Sequence, residues 1–386
     1  MIEALASDDP GRLGVRRWLE AHPDPTGGQL AHAGYVAPHW PAPWGHGADV
    51  ALQLAVDEEL HRAGVALPDN PIGIGWAGPT LLTAGTDAQR DRHLFPLLAG
   101  DEVWCQLFSE PDAGSDLASL TTRAERDGDE WVVTGQKIWS TSADIAAFGI
   151  LLARTDPTAP KHRGISYFLC PMDAPGIEVR PIREMTGGSH FNEVFLDGVR
   201  LGPDALVGAP GDGWRLARVT LGNERVSLSS GGILWGMGPT GSEVLDLARR
   251  VGVADPLLRQ EVAALHTEAS LLDLLGRRVQ ESVAAGAEPG PEASLKKLLA
   301  DEHGQRLMEL VASLVGPDAM VASESPWPST LAHQPAPVGG GLGAAHQGEW
   351  PWNYLFARAL TIGGGTTQVQ RNILAEQVLG LPREAT

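Results

Sequence analysis

The stretch DGDEWVVTGQKIWST (residues 127–141) differs in texture from the chain on either side of it. Asp127-Gly128 is a tight-turn dipeptide, because glycine takes a positive φ without a Cβ clash. After it, Glu130–Val133 and Lys137–Trp139 are rich in β-branched and aromatic residues, a composition that predicts strands. Side chains alternate along a strand, so Lys137, Trp139 and Thr141 are expected on one face. An indole and a hydroxyl two residues apart can stack on and hydrogen-bond to a flat ring. They can equally be parts of an ordinary barrel strand.

Outward from this stretch the strand texture continues. Val103–Phe108, Ala147–Ala153, Ile165–Cys170, Ile177–Ile182 and Asn192–Leu196 are short runs with β-branched and aromatic residues, the last followed by a second turn dipeptide, Asp197-Gly198. Strands at this spacing predict an antiparallel sheet or small barrel over residues 103–212. On both sides the period becomes helical. Asp49 can cap a helix carrying Leu52, Val56 and Leu60 and ending at Gly64. Thr86-Asp87 can cap another through Leu94 and Leu98, closed by Gly100. Between them VAPHWPAPWGHG (36–47) is expected to be a rigid turn that packs Trp40 and Trp44 against the helices. Beyond Gly213-Trp214 the helical period runs nearly to the end, with a Pro-, Gly- and His-rich loop expected over Ser323–Gly348. Helices, then strands, then helices is an α+β order, divided at 1–102, 103–212 and 213–386.

Composition narrows the function. The 386 residues are 43% hydrophobic and 20% charged, enough apolar surface for a packed core. With 29 Lys and Arg against 48 Asp and Glu, the net charge of -19 opposes a nucleic-acid surface. Cys105 and Cys170 make no disulfide framework or zinc spacing and point to a reducing, cytoplasmic setting. The first residues contain no apolar signal core, and no run approaches a membrane span. The scattered histidines have no metal-binding spacing, so no metal is expected.

Polar features in apolar surroundings are the candidates for chemistry. SEPDAGSD (109–116) follows a strand and offers hydroxyls and backbone N–H groups to a heterocycle or carbonyl, or is simply a capped turn. In the predicted helix Arg215–Leu234, apolar residues are spread nearly all round, which marks a buried helix. Glu224 stands within it, flanked by Leu221 and Leu228. A carboxylate losing hydration is driven toward a higher pKa, which suits a general base for a weakly acidic C–H. A buried Glu–Arg ion pair is the competing explanation. Finally, Gly363-Gly364-Gly365 before Thr366-Thr367-Gln368 lets backbone approach a ligand, without the lysine of a nucleotide-triphosphate loop.

Taken together, SEPDAGSD (109–116), GQKIWST (135–141) and GTTQVQR (365–371) resemble the acyl-CoA dehydrogenase family, over roughly residue 45 to the C-terminus. GYVAPHWPAPWG (34–45), GGSHFNEVFLDGVRL (187–201) and LGNERVSL (221–228) are most similar to actinobacterial members, including those acting on steroid side chains. The resemblance implies an N-terminal helical domain, a middle β-domain and a C-terminal four-helix bundle, usually in a dimer-of-dimers tetramer with FAD between β-domain and bundle. It implies that Gln106, Phe108, Ser109 and Ser115 line the flavin pocket. Trp139 and Thr141 would lie on the isoalloxazine, and Thr366 and Gln368 would touch the cofactor from the C-terminal segment. Ser115 and Arg225 match positions that contact acyl-CoA. The implied reaction is α,β-dehydrogenation of an acyl-CoA thioester, with an electron-transfer flavoprotein reoxidising the flavin. An oxidase using oxygen, a non-catalytic subunit and an enzyme acting on carrier-protein thioesters share most of these residues.

Two departures from the family pattern carry information. Most members place the catalytic glutamate immediately before the terminal Gly-Thr; here that position is Gly364, which takes no proton. A minority place it on the first bundle helix just before an arginine, and Glu224-Arg225 matches them, so the resemblance assigns Glu224 as the base. The Arg-x-x-Phe-Gly and Gln-x-x-Gly-Gly elements by which a neighbouring subunit completes the FAD site are reduced here to Arg249-Arg250-Val251-Gly252 and Ser313-Leu314-Val315-Gly316-Pro317. The resemblance then implies a heterotetramer with a related subunit that supplies those groups, with a homo-oligomer as the alternative.

Overall fold

Capping chemistry sets the first helices of the computed structural model, which describes residues 5–228, 239–284, 292–317 and 350–383. Helix α1 spans Pro10–Ala21 and α2 spans Gly27–His32. Helix α3 (Val50–Ala63) begins at Asp49, whose side chain accepts from Leu52 N, and ends at left-handed Gly64. After α4 (Gly78–Ala84), α5 (Asp87–Ala99) opens on a Thr86–Gln89 capping box and closes on Gly100 at φ 79°. Both caps are the ones expected from the sequence. Trp40 is buried in the helical core and Trp44 packs against it.

The strands are β1 (Trp104–Leu107), β2 (Arg123–Asp127), β3 (Glu130–Lys137), β4 (Phe148–Arg154), β5 (Ile165–Pro171), β6 (Ile177–Ile182), β7 (Phe191–Leu201) and β8 (Leu206–Val207). They form one sheet in the order β6-β7-β3-β2-β4-β5-β8, with β1 beside β4. The sheet is mainly antiparallel, with two additions to the expectation: β1 pairs with β4, and β2 meets β4, in parallel. Strands β4 and β5 are buried along both faces, so they read as unbroken apolar runs rather than as an alternation. Ile150, Leu152, Ile165, Tyr167 and Leu169 join the core that includes the N-terminal helices, while Leu151, Ala153, Phe168 and Cys170 join a second core on the other face.

Two expectations are corrected. Asp197-Gly198 is not a turn: β7 runs through it, and Gly198 at φ 64° sits where the pairing to β3 shifts register between Val133 and Gly135. Lys137–Trp139 is not a strand either, because β3 ends at Lys137 and Trp139 turns to φ 61°.

The chain divides into two compact units, the first running to Glu224 and the second beginning at Arg225. Helix α6 (Gly213–Leu228) carries that boundary. The second unit contains α7 (Gly241–Val251), α8 (Pro256–Ala284), α9 (Glu292–Val315), α10 (Trp350–Phe356) and α11 (Thr367–Ile373). Helix α9 packs against α8, α10 and α11. The expected loop at 323–348 and the end of the expected helix at 229–234 lie outside the described residues. Among the described residues no helix is long and apolar enough to cross a membrane.

Candidate active site

In the first unit the two polar motifs meet through a buried ion pair that the sequence reading did not single out. Lys137 is fully buried, and its Nζ donates to Glu110 Oε1 at 2.8 Å and to the Phe108 carbonyl at 3.0 Å. Glu110 also accepts from Thr122 N at 2.9 Å, Thr121 N at 2.6 Å and Thr121 Oγ1 at 2.8 Å. Burial alone would raise its pKa; the Lys137 charge and these donors outweigh that and hold the carboxyl at about 2. Strand alternation offered a signal, since a lysine at the end of the face that carries Trp131 and Val133 needs an acid.

This clamp fixes the turn that follows. Ile138 N donates to the Ser109 carbonyl at 2.9 Å, and Ser140 N to the Asn192 carbonyl at 3.0 Å. Between these bonds Trp139 stands 57% exposed in a left-handed backbone. Lys137 and Trp139 therefore do not share a face, contrary to the alternation expected. One is buried with Glu110; the other presents its ring outward because the chain reverses hand between them. Thr141 is half-buried two residues on.

The remaining sequence-predicted positions separate into those at this surface and those inside. Phe108 packs edge-on against Tyr167 in the core with ring centroids 6.0 Å apart, so its main chain, not its ring, adjoins the turn. Ser109 is half-buried and Ser115 exposed. Gln106, on β1, extends its amide to Glu224, with Nε2 to Oε2 at 3.3 Å.

Glu224 is 6% exposed and occupies the inward face of α6 with Leu216, Ala217 and Thr220. The opposite face carries exposed Arg215 and Arg218, so over residues 213–224, whose side chains are described, α6 is one-sided rather than buried all round. One turn before Glu224, Thr220 Oγ1 lies 2.9 Å from Thr80 Oγ1 on α4 and 3.1 Å from Tyr167 OH on β5. These bonds fix the rotation of α6 and with it the direction of the residue four positions later. The side chain of Arg225 lies outside the described residues.

In the second unit Thr366 caps α11, its Oγ1 accepting from Val369 N at 3.2 Å, and Gln368 is exposed. The residue that shapes this loop is one the sequence reading passed over. Gln370 is fully buried and donates to the carbonyls of Gly364 and Gly365, both at 3.1 Å. Gly364 has φ 65° and Gly365 φ 90°, so this loop is built for residues without a Cβ.

An outward indole face, half-buried hydroxyl and amide groups and no lysine in the surface turn form a donor set that suits an uncharged heterocycle such as a flavin ring. The comparisons agree with that chemistry. The family models for the acyl-CoA dehydrogenase N-terminal, middle and C-terminal domains match residues 13–101, 105–199 and 211–379. The match thus begins well before residue 45. Acyl-CoA dehydrogenase FadE34 of Mycobacterium tuberculosis is 44% identical over 356 residues, which is 92% of this chain and 46% of that protein. The chain therefore spans under half the length of that relative. Acyl-CoA dehydrogenase IpdE1 of the same organism is 40% identical over 360 residues, 92% of this chain and 87% of that protein. Among solved structures, the Tcur3481-Tcur3483 steroid ACAD superposes with a TM-score of 0.77 at 29% identity, covering 98% of this chain and 100% of that one. The ChsE4-ChsE5 complex from Mycobacterium tuberculosis gives 0.74 at 28% identity, with the same coverage of both chains. Members of the matched family are FAD-dependent oxidoreductases. The chain belongs to the acyl-CoA dehydrogenase family.

Proposed function

We propose that this protein is an FAD-dependent dehydrogenase that introduces an α,β double bond into an acyl-CoA thioester, with Glu224 as the base. The observation that carries the reading is the placement of Glu224: buried, oriented by Gln106 and set in rotation by Thr220. Gly364 offers no competing group, and its positive φ disfavours any side chain there.

Trp139, Thr141, Gln106, Ser109 and the Phe108 main chain in the first unit, with Thr366 and Gln368 in the second, are the residues that would hold the flavin. Ser115 would serve both flavin and acyl-CoA, and Arg225 the acyl-CoA. A bound flavin would supply the acceptor for the β-hydrogen and its electron pair. The chain's own share is the proton. Glu224 takes it from the carbon beside the thioester carbonyl, the Cα–H pair becomes the π bond, and the β C–H pair leaves as hydride. Gln106 orients the carboxylate through a neutral bond, adding no charge beside it. The low-dielectric surroundings of α6 strengthen every hydrogen bond to the developing enolate.

The similarity to a steroid ACAD supports a bulky substrate, a steroid side-chain thioester. The same neighbours are two-component complexes, which supports a related second subunit here. Arg249-Arg250-Val251-Gly252, where Gly252 ends α7, and the residues ending α9 lack the aromatic and glutamine that subunit would need to receive. The reading includes a cytoplasmic setting, the division at 1–102, 103–212 and 213–386, and an electron-transfer flavoprotein as acceptor.

Titration of the purified flavoprotein with a panel of acyl-CoAs tests the reaction. Flavin bleaching is expected with bulky acyl groups, and Glu224→Gln is expected to retain FAD while bleaching at least about 10³-fold more slowly. Undiminished bleaching by that variant would assign the base elsewhere. Flavin-to-protein ratio and mass, measured for the chain alone and with a related subunit, test the assembly. A homotetramer holding one FAD per chain would remove the two-subunit reading.

A further inference from the structure

Among the described residues, the non-glycine positions with positive φ are Trp139 at 61° and Ser142 at 57°. A side chain with a Cβ is disfavoured there, and a large aromatic more than most, so an outlier of this kind persists only where its surroundings over-determine it. Both are tied to one short stretch at the start of β7. Ser142 N donates to the His190 carbonyl at 3.3 Å, and the Ser140 and Asn192 main chains exchange bonds of 3.0 and 3.1 Å. Any residue but proline at 192 can make that main-chain pair. Asn192 adds a second grip: its Nδ2 donates to the Ser140 carbonyl at 3.1 Å and lies 3.4 Å from Asp144 Oδ1. The carboxamide is wholly buried, and its own Oδ1 has no hydrogen-bond partner. A buried amide with one half unsatisfied is a poor choice for packing alone, where an aliphatic residue would leave no orphan acceptor. Next to it, the Phe191 ring meets the Trp139 indole edge-on at 5.9 Å.

We propose that Asn192 is a positioning residue whose carboxamide locks the Trp139–Ser142 turn in its left-handed form, so that the indole is a preset platform before any ring stacks on it. The flavin half of this statement rests on the function proposed above; the locking half does not. Fixing the platform in advance removes an ordering penalty from ring binding, so its loss is felt in affinity.

The test combines hydrogen exchange with FAD titration, both on the flavin-binding assembly and its apo form, for the parent, Asn192→Ala, Trp139→Gly and the double variant. Asn192→Ala is expected to speed exchange over residues 138–144 at least about tenfold while leaving β4 and β5 unchanged. It is expected to weaken FAD binding about tenfold. In the Trp139→Gly background, where no indole remains to be placed, the same substitution is expected to change FAD affinity less than about twofold. Equal losses in both backgrounds, or faster exchange spread evenly through β3 and β7, would reduce Asn192 to a packing residue and overturn the proposal. If Asn192→Ala does not fold, Asn192→Ser, which keeps a shorter donor, is read in its place with an intermediate effect expected. A parent that binds no FAD would refute the flavin reading, whereas unchanged exchange at 138–144 would refute the lock.

Discussion

Among the described residues, each unit of the molecule buries one lysine–carboxylate pair, and the two behave in opposite ways. In the first, Glu110 receives the Lys137 ammonium, two backbone N–H groups and a hydroxyl, and its carboxyl is held at about 2. In the second, Lys297 donates to Asp301 one helical turn away on α9 and lies 3.4 Å from the Leu360 carbonyl. There burial outweighs the Lys297 charge and pushes the Asp301 carboxyl up to about 7. Both pairs are almost wholly removed from water. The difference lies in donor count: one cation does not replace the hydration a carboxylate loses, whereas a cation with three further donors does. The pair that is fully satisfied is the one that fixes the turn at Trp139.

Removing one partner should separate the pairs most sharply. Lys137→Met leaves a carboxylate buried among fixed donors and is expected to destabilise the protein by about 3–5 kcal/mol in urea denaturation. Pairing it with Glu110→Gln should restore part of that loss; no restoration would mean the charge is not what matters.

The pH dependence of the two pairs should run in opposite directions. The Glu110 contribution is complete above its ordinary value of 4.5 and is lost as pH falls through about 2. The Asp301 contribution is complete below 3.8 and is lost as pH rises through about 7. Native-state hydrogen exchange from pH 3 to 8 is expected to show α9 in the second unit losing on the order of 2 kcal/mol on the way up, with no such loss from the Glu110 pair. Asp301→Asn should flatten that slope, and a slope that survives it would place the titration on another group.

A neutral network gives the scale between these effects. Thr220→Val breaks the bonds to Thr80 and Tyr167 and is expected to cost about 1–2 kcal/mol of stability. Turnover should fall with FAD affinity unchanged if the network aims Glu224. At the lower end, the exposed Lys161–Asp116 pair should contribute little: Lys161→Ala is expected to change stability by less than about 0.5 kcal/mol.

Much of the fold could be read from the chain because its signals are local. The Asp49 and Thr86 caps, the glycine stops and the apolar runs of β4 and β5 need only neighbours in sequence. The misreadings came where a local rule was overridden from a distance. Asp197-Gly198 has turn chemistry, yet β3 supplies a bulged partner and keeps β7 straight through it. Lys137 and Trp139 have strand spacing, yet the bonds from Ser109 and Asn192 impose a change of hand between them. At the site, hydroxyls, Trp139 and Glu224 stood out by type. Glu110, Thr220, Asn192 and Gln370 did not, because each matters through a partner far away in the chain.

By itself the sequence determined where the capped helices α3 and α5 begin and end, that strands lie between two helical regions, which family this chain falls in, and that a glycine had replaced the usual terminal glutamate. Those follow from intrinsic backbone preferences and from residue identity. Only the tertiary structure decided which way Glu224 faces, which lysine is buried with which acid, and that Trp139 stands outward on a left-handed backbone. These depend on hydrogen bonds closed across tens of residues, and a bond of that kind has no signature in the residues on either side of it.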